Sequence, residues 1–258
     1  MLRPRITPCL LVRKGGLVKT VEFGASKYVG DPINAVKIFN EKQADELIVL
    51  DIDATVEGHK PDLKLIGHLA LECRMPLCYG GGVKTAAQAK RIVELGVEKV
   101  AISSAAVEQP QLIAEMAEEI GGQSVAVVLD VKQSANDRYR VVTHNGQKDS
   151  GRNVEEVATN AQELGAGEVV VNSVDRDGAM TGYDLDLARL IRGVVDVPIT
   201  VLGGAGKLSH IAALIDACGV LGAAAGSMFV FKGIYRAVLI NYPDPARKER
   251  LVRPSTVE

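Results

Sequence analysis

The amino-acid sequence predicts an α/β fold, a (β/α)8 or TIM barrel, on two observations. Short apolar segments rich in β-branched residues alternate about eight times with helical segments over 258 residues, the pattern of βα units around a parallel sheet. The chain also repeats itself at an offset of 122 residues. Two similar half-barrels of four units each account for the eight units of such a barrel.

The repeat can be followed at individual positions, and it fails at one of them. At an offset of 119 residues, Leu129-Asp130-Val131-Lys132 aligns with Leu10-Leu11-Val12-Arg13, so the partner position of Asp130 holds Leu11. A carboxylate expected twice is therefore present once. The residues that recur at offset 122 are Ala44, Glu46, Val49, Asp53, Asp62, Leu65, Pro76, Gly81, Gly82 and Ala101, matched by Ala166, Glu168, Val171, Asp175, Asp184, Leu187, Pro198, Gly203, Gly204 and Ala223.

Composition favours one domain over residues 1–258 with a large core. Hydrophobic residues make up 47% and charged residues 24%, and the formal net charge is −2 with Lys and Arg scattered. No basic stripe offers a nucleic-acid surface, and no segment approaches membrane-spanning length. The four cysteines form no CxxC pair, which predicts reduced thiols and a cytoplasmic protein. The sequence indicates neither a metal nor a cofactor.

Each strand is predicted from an apolar run bounded by turn residues. The strands are Arg5–Leu11, Glu46–Leu50, Pro76–Cys78, Lys99–Ile102, Ser124–Leu129, Glu168–Asn172, Pro198–Leu202 and Val220–Ala224. Helices fit Pro32–Lys42, Asp62–Cys73, Ala86–Leu95, Gln109–Ile120, Val154–Leu164, Asp184–Ile191, Ser209–Ala217 and a segment near Gly233–Ile240.

Local signals refine three parts of this plan. Asp31-Pro32 supplies a cap followed by proline at the first helical position. The connections 12–30 and 131–152 are long, and the second predicts a small β-hairpin around Asn145-Gly146. Proline and charged residues predict a loosely ordered tail over 244–258.

Glycine and serine residues follow four of the strands, at the end of the barrel where active sites lie. Glycines let backbone N–H groups approach an anion, and a hydroxyl group completes the cradle. One such pair also serves merely to connect a strand to its helix, whereas matching pairs in two halves predict two phosphates and an elongated bisphosphate ligand. The residues are Gly80, Gly81 and Gly82 after strand 3, Ser103 and Ser104 after strand 4, Gly203 and Gly204 after strand 7, and Gly226 and Ser227 after strand 8.

Aspartates end or follow three strands at the same end. Asp130 ends strand 5 and points inward by the alternation of its run, so it is the favoured proton-transfer group. Asp51 and Asp53 at strand 2 lie two residues apart, so their side chains point to the same side of the strand, which suits a structural role. Asp175 and Asp177 follow strand 6, where capping a loop or balancing Arg176 is an equally good explanation.

A second constellation lies at the opposite end of the barrel. Arg5, Glu46, Lys99 and Glu168 each begin a strand, which predicts a ring of two positive and two negative side chains. As a structural plug the ring closes the barrel by itself, and as a gate it controls passage through the core. From the residues alone, the plug is favoured.

Seven motifs are shared with one known family. They are Arg5-Ile6-Thr7-Pro8-Cys9-Leu10, Gly30-Asp31-Pro32, Ala44-Asp45-Glu46-Leu47, Gly80-Gly81-Gly82, Gly96-Val97-Glu98-Lys99-Val100, Ser173-Val174-Asp175-Arg176-Asp177-Gly178 and Gly203-Gly204-Ala205-Gly206. On these motifs, from about Met1 to Ile240, the chain resembles the cyclase subunit of imidazole glycerol-phosphate synthase, a lyase of histidine biosynthesis and thus of amino-acid biosynthesis.

The resemblance implies a reaction and a partner. A glutaminase subunit docks at the N-terminal face as a heterodimer partner and sends ammonia through the barrel. There phosphoribulosyl-formimino-AICAR phosphate becomes imidazole glycerol phosphate and AICAR. The resemblance makes the ring of Arg5, Glu46, Lys99 and Glu168 an ammonia gate. It implies phosphate contacts from Gly82, Ser103 and Ser104 on one side and Asp177, Gly178, Gly204 and Ser227 on the other, with Lys19 on a mobile first loop.

The chain departs from the family pattern at one catalytic position. Family members carry aspartates at the ends of strands 1 and 5; Asp130 matches the second, and Leu11 stands in place of the first. Leucine cannot exchange a proton, so we expect a loss on the order of 10²–10⁴ in rate. The departure, with Arg-Lys-Gly-Gly at 13–16, resembles a divergent branch serving surface-polysaccharide synthesis, in which the barrel helps deliver ammonia to an enzyme making an amidino sugar.

Three hypotheses therefore stand. The first is an ammonia-using cyclase subunit with weakened turnover. The second is a docking and channelling subunit for a separate amidotransferase, which Leu11 favours. The third is the related phosphoribosyl isomerase, which shares the half-barrel repeat and both phosphate sites but also requires the strand 1 aspartate and has no need for the charged ring.

Overall fold

Eight parallel strands close into a barrel in the computed structural model, which describes residues 3–134 and 138–252. The predicted (β/α)8 fold is confirmed. Each strand pairs with the next barrel strand along the chain, and the two halves meet where the fourth strand pairs with the fifth and the eighth pairs with the first. The barrel strands are β1 (Arg5–Arg13), β4 (Leu47–Asp51), β5 (Leu77–Gly80), β6 (Lys99–Ile102), β7 (Val125–Gln133), β10 (Glu168–Ser173), β11 (Ile199–Leu202) and β12 (Gly222–Ala225).

Helices cover the outside of the barrel, and side-chain caps fix where four of them begin. Asp31, Asp62, Thr85 and Asp184 accept hydrogen bonds from backbone N–H groups in the first turn of their helices. The helices are α1 (Pro32–Glu41), α2 (Ala54–Glu57), α3 (Leu63–Glu72), α4 (Ala86–Glu94), α5 (Ser104–Glu108), α6 (Gln111–Ile120), α7 (Val154–Glu163), α8 (Leu185–Val194), α9 (Leu208–Cys218), α10 (Ser227–Val230) and α11 (Pro245–Val252).

Both long connections form antiparallel extensions of the sheet. The first contains β2 (Gly16–Lys19) and β3 (Lys27–Gly30), with β2 paired to β1. The second contains β8 (Tyr139–Thr143) and β9 (Lys148–Asn153), the predicted hairpin, with β8 paired to β7. These extensions carry chain over the C-terminal end of the barrel, where the candidate site lies.

The C-terminal region differs from the sequence prediction in two places. No helix forms at 233–240; β13 (Phe231–Lys232) and β14 (Ala237–Val238) make a hairpin, because Gly233 and Arg236 adopt left-handed φ angles of 73° and 47°. The tail predicted to be loosely ordered contains helix α11, in which Lys248 Nζ lies 2.6 Å from Asp45 Oδ1. The rest of that tail, 253–258, lies outside the described residues.

Two apolar cores result from the alternation of side chains along the strands. The larger one lies between the barrel and its helices. The smaller one fills the barrel interior and will be called the inner core. It consists of Cys9, Ile48, Cys78, Ala101, Ala126, Val128, Val170, Leu202 and Ala224, with Leu11 and Leu50 packed against it.

Candidate functional site

Asp130 lies at the C-terminal end of the barrel and is held by two neighbours. Asn172 Nδ2 donates to Oδ1 at 2.9 Å, and Ser103 Oγ donates to Oδ2 at 3.2 Å. Burial raises the pKa of Asp130 to about 6, even though both hydrogen bonds favour the ionised form. The carboxyl group is therefore able to gain or lose a proton near neutral pH.

An apolar wall stands in the same cavity as Asp130. It is formed by Leu11, Leu50 and Leu202, and Leu11 is the register partner of Leu50 on the adjacent strand. The cavity thus has a polar side, made by Ser103 and Asp130 with Asn172, and a side without proton-transfer groups. Leu11 lines the cavity at the strand end where the internal repeat predicts a second aspartate.

Asp51 and Asp53 have structural partners. Asp51 Oδ1 accepts from the backbone N–H groups of Asp53 and Ala54 at 3.1 and 3.2 Å. Burial raises the pKa of the Asp51 carboxyl, against the effect of these hydrogen bonds. Arg13 Nε lies 2.9 Å from Asp53 Oδ1, and Arg13 Nη1 donates to Ser26 Oγ at 2.8 Å. Arg13 therefore joins the first connection to the end of β4.

One side of the cavity brings together the predicted phosphate cradle of the first half-barrel. Gly81, Gly82, Ser103 and Ser104 all line it. Gly82 has a φ of +72°, and a Cβ atom there would lie 2.7 Å from the His59 carbonyl oxygen, so only glycine fits this turn.

The tip of the β8–β9 hairpin crosses the mouth next to this cradle. The backbone N–H of His144 donates to Ser104 Oγ at 3.0 Å, and Asn145 Nδ2 donates to the Ile52 carbonyl at 2.6 Å. Both tip residues adopt left-handed φ angles, 53° and 55°. The hairpin tip is therefore attached to two separate parts of the rim.

The second half-barrel contributes fewer of its predicted residues to the cavity. Asp177, Gly226 and Ser227 line it, together with Lys19 from the first long connection. Lys19 ends β2, is buried, and donates from Nζ to the Cys9 carbonyl at 2.6 Å. Burial lowers the pKa of the Lys19 ammonium, while it raises the pKa of the Asp177 carboxyl.

Three other residues predicted for the second phosphate cradle, Gly178, Gly203 and Gly204, do not line the cavity. Gly204 accepts from the Gly182 N–H at 2.7 Å, and its left-handed φ of +102° with that neighbouring backbone leaves no room for a side chain. Gly203 packs against Ser173, and Gly178 packs against Thr20, whose hydroxyl donates to Asp177 Oδ2 at 3.1 Å. Arg176 pairs with Asp184 at 3.8 Å rather than with Asp175 or Asp177.

The charged residues at the opposite end form a closed ring. Lys99 Nζ lies 2.6 Å from Glu46 Oε1 and 2.7 Å from Glu168 Oε2. Arg5 Nη2 lies 2.7 Å from Glu168 Oε1, and Arg5 Nε lies 3.4 Å from Glu46 Oε2. Each cation thus bridges both carboxylates. Glu46, Lys99 and Glu168 are buried, and the Arg5 side chain remains 32% exposed.

Electrostatics favour the charged forms of Glu168 and Lys99 in this ring. Burial disfavours the charged Glu168 carboxylate, but Lys99 and Arg5 outweigh it and hold the pKa below its ordinary value. Burial likewise opposes the charge on Lys99, and the two carboxylates outweigh it, so the Lys99 pKa is raised. Thr200 Oγ1 adds a hydrogen bond to Glu168 Oε1 at 2.6 Å.

Sequence reasoning missed Asn172, Thr200 and the hairpin tip as parts of these sites. Asn172 and Thr200 are uncharged strand residues, and strand parity relative to Asp130 and Glu168 is the signal that could have found them. The turn signal in the sequence covers Asn145-Gly146 and does not extend to His144. Their contacts with Ser104 and Ile52 join residues 40 and 93 positions apart, which no local pattern indicates.

Metal-binding clusters, membrane-spanning helices and cysteine pairing were considered for the described parts of the chain. No group of three His, Cys, Asp or Glu residues within 3–134 and 138–252 is placed to hold a metal ion. In the same ranges, no helix has the length and apolar character needed to cross a membrane. Cys9, Cys73, Cys78 and Cys218 are all free thiols.

Comparisons with known proteins agree on one family. A family model described as "Histidine biosynthesis protein" matches residues 5–235. A Leptospira borgpetersenii protein named "Putative imidazole glycerol phosphate synthase subunit HisF" is 54% identical over 252 residues, covering 97% of this chain and 99% of the relative. A Pseudomonas aeruginosa protein named "Putative imidazole glycerol phosphate synthase subunit hisF2" is 48% identical over 244 residues, covering 95% of this chain and 97% of the relative. The "Imidazole glycerol phosphate synthase subunit HisF" of Streptococcus sanguinis is 39% identical over 229 residues, covering 89% of this chain and 91% of the relative.

Proposed function

The chain belongs to the histidine biosynthesis protein family, and on that premise we propose that it is the ammonia-using barrel subunit of a glutamine amidotransferase. The observation that carries the proposal is the arrangement of two sites on one barrel. A closed ionic ring occupies the N-terminal end, and Asp130 lies at the C-terminal end in a cavity that is also lined by Gly81, Gly82, Ser103 and Ser104. The ring is then an entrance for ammonia and the mouth is the place where ammonia is used.

The reaction we propose is that of the relatives' named enzyme, imidazole glycerol phosphate synthase. Ammonia and phosphoribulosyl-formimino-AICAR phosphate give imidazole glycerol phosphate, AICAR and one molecule of water. The two phosphates of the substrate would bind at Gly81, Gly82, Ser103 and Ser104 on one side and at Asp177, Gly226 and Ser227 on the other, with Lys19 beside the second. Gly178, Gly203 and Gly204 would shape the backbone around the second phosphate.

Asp130 would transfer the protons in this reaction. With a pKa of about 6 it is largely ionised at neutral pH and still basic enough to accept a proton from the attacking amine. Asn172 and Ser103 hold both carboxylate oxygens, so the group is oriented before substrate arrives. Leu11 provides no second acid, and we expect cyclisation to be slower by at least roughly a hundredfold than with two aspartates.

A second candidate is an ammonia-channelling subunit for an amidotransferase that makes an amidino sugar. The apolar wall of Leu11, Leu50 and Leu202 favours it, because Leu11 puts an apolar side chain at the strand end where the cyclase needs a second acid. The ring serves both candidates equally. Neighbouring histidine genes would support the cyclase, and neighbouring sugar-nucleotide genes would support the channelling subunit.

A glutaminase partner can be tested through the ring. The complex with the glutaminase of the same organism is assayed for glutamine hydrolysed per ammonia used, with Lys99→Ala and the control Lys90→Ala. Lys90 forms an exposed ion pair with Glu119 away from the ring. We expect Lys99→Ala alone to raise this ratio severalfold. If no glutaminase binds, or if Lys99→Ala simply unfolds, the ring is a structural plug.

A further inference from the structure

The hairpin of β13 and β14, residues 231–239, carries large apolar side chains into solvent and will be called the rim hairpin. Ile234 and Tyr235 at its tip are 87% and 90% exposed. Val238 and Leu239, where the chain returns, are 45% and 51% exposed. Single apolar side chains on a surface are normal, but four within six positions form a patch of the kind that marks an interaction site.

The barrel does not need the rim hairpin to complete its outer layer. Helix α11 packs against α9, and Lys248 Nζ donates to the carbonyl of Gln43, just after α1, at 2.8 Å. Helix α11 therefore takes the place between the last and the first outer helix that the eighth helix of a (β/α)8 barrel fills. The rim hairpin is an addition between the last barrel strand and that helix, so its exposed side chains contribute little to the fold.

The base of the rim hairpin lies beside the mouth of the barrel. Gly226 and Ser227 line the cavity, and β13 follows helix α10 directly. Lys27 Nζ lies 5.3 Å from the centre of the Phe231 ring, and Lys27 is the register partner of Lys19, which also lines the cavity. A protein bound to the rim hairpin would therefore also reach the rim of the mouth.

The charges of the rim hairpin have one sign. Lys232 and Arg236 are exposed on it, and the sequence contains no acidic residue between Asp216 and Asp244. Lys27 adds an exposed cation at the base. Because opposite potentials meet across specific interfaces, this surface is complementary to an acidic one that also offers apolar residues.

A second copy of the chain and a lipid surface fit these observations less well. In a two-fold dimer the same patch meets itself, so Lys232 and Arg236 of one copy would face the same cations of the other. Strands of two residues also offer far less than the roughly 1,000 Å² that a stable interface buries. Among the described residues β13 and β14 pair only with each other, and lipid cannot satisfy the backbone groups on their outer edges, whereas a protein can.

We propose that the rim hairpin docks the enzyme that consumes the ammonia, through an acidic and partly apolar surface of that enzyme. The proposal rests on the second candidate function, in which ammonia leaves the mouth for another protein. Docking at the rim hairpin places that enzyme over the mouth. Since the ring lies at the opposite end of the barrel, a glutaminase and the ammonia-consuming enzyme can bind the same chain at once.

Calorimetric titration with the purified amidino-sugar amidotransferase of the same organism tests the rim hairpin. Tyr235→Ser should weaken binding roughly tenfold because it removes an exposed aromatic anchor, and its control Leu71→Ser, at an 84% exposed position on α3, should not. Lys232→Glu should weaken binding roughly threefold at low salt and less at high salt, and its control Lys90→Glu, exposed on α4, should not. All four variants should unfold thermally like the natural chain. Absent binding, or equal binding by the hairpin variants and their controls, would overturn the proposal.

The other two occupants are tested on the chain alone. Light scattering measures its oligomeric state, and sedimentation with vesicles of phosphatidylcholine and phosphatidylglycerol measures its attachment to lipid. We expect no dimer and no vesicle binding that depends on Tyr235, and either one, if abolished by Tyr235→Ser, would overturn the proposal in favour of that occupant. The glutaminase assay decides the proposed function separately. A chain that binds its glutaminase but not the amidotransferase refutes the docking proposal alone, and a chain that binds no glutaminase refutes the proposed function.

Discussion

Asp130 combines a predictable position with unpredictable neighbours. Its place at the end of a strand and its inward direction follow from the alternation of an apolar run. Its partners Asn172 and Ser103 come from two other strands, and their contacts depend on how neighbouring strands are offset in the closed barrel. The sequence therefore predicts Asp130 as the proton-transfer group but does not predict that Asn172 and Ser103 orient it.

The raised pKa of Asp130 predicts how pH affects stability. Burial raises the pKa of the native Asp130 carboxyl to about 6, whereas the ordinary pKa of an aspartate is 3.8, so the unfolded state binds fewer protons between these pH values. The free energy of unfolding should then fall as pH rises from about 4 to about 6. Asp130→Asn removes the cost of ionisation, and we expect it to stabilise the chain by about 1 kcal/mol near pH 8 but not near pH 4.

Urea unfolding of the variant at both pH values checks this prediction. Asp186→Asn is the matched control, because the Asp186 side chain is 85% exposed and pairs only with Arg189 at the surface. Its effect should be small at either pH. Equal effects of Asp130→Asn near pH 4 and near pH 8 would mean that the carboxyl titrates normally.

At the scale of elements, the loops of the mouth predict two anion sites. Gly82 with Ser104 and Gly204 with Ser227 occupy matching places in the two halves, and backbone N–H groups in such turns bind anions. Crystals soaked in phosphate should show one ion near each pair. Only the first pair lines the cavity completely, so we expect higher occupancy there. Two empty sites would count strongly against a bisphosphate ligand.

The ring was predictable as a set of residues but not as a set of contacts. Because four strands begin with a charged residue, the sequence predicts four charges at one end of the barrel. It does not predict that Glu168 has three partners within 2.7 Å, namely Lys99, Arg5 and Thr200. Glu46 has one short contact, to Lys99 at 2.6 Å. The two carboxylates should therefore contribute unequally to the free energy of unfolding of the barrel.

We expect Glu168→Gln to destabilise the barrel by about 3 kcal/mol near neutral pH and Glu46→Gln by less. The Glu168 pKa is lowered in the native state, so its contribution is present above the unfolded value and is lost as pH falls through the native value. The deficit of Glu168→Gln should therefore shrink below about pH 4. Denaturant titrations across pH measure both effects, and equal losses for the two variants would refute the ranking.

The C-terminal segment shows where pattern reasoning fails. An apolar run at 233–240 resembles a helix, but Gly233 and Arg236 turn the chain into a hairpin. The charged segment after it forms a helix because it is anchored to distant residues. Tyr242 OH donates to the Ile6 carbonyl at 2.7 Å and accepts from the Asp45 N–H at 3.1 Å, and its ring packs 5.3 Å from that of Phe229. Contacts across some 200 residues leave no local signal.

This anchor predicts a graded series at one position. Tyr242→Phe keeps the ring and loses both hydrogen bonds, which should cost about 1–2 kcal/mol. Tyr242→Ala also removes the packing against Phe229 and Phe39, and should cost about 3–5 kcal/mol. Tyr235→Phe, at a position 90% exposed, should change nothing. If Tyr242→Ala were equally neutral in thermal unfolding, the segment would not be anchored.

At the scale of the whole molecule, the internal repeat predicts most of the fold. Eight strands, most helices and the two ends of the barrel follow from periodicity and from matching positions in the halves. Function depends on where the symmetry fails. Asp130 faces Leu11 instead of a second acid, and the β8–β9 hairpin reaches the rim on one side only. Such departures can be located in a sequence, but their contacts require coordinates.

The most direct test of this account is a steady-state cyclase assay with ammonium salt and the bisphosphate substrate, on the natural chain and on Leu11→Asp. We predict that both bind the substrate. The natural chain should turn over at least roughly a hundredfold more slowly than a family member with two aspartates, and Leu11→Asp should recover part of that rate. Rapid turnover by the natural chain would contradict the account, because Asp130 would then perform both proton transfers without a partner at position 11.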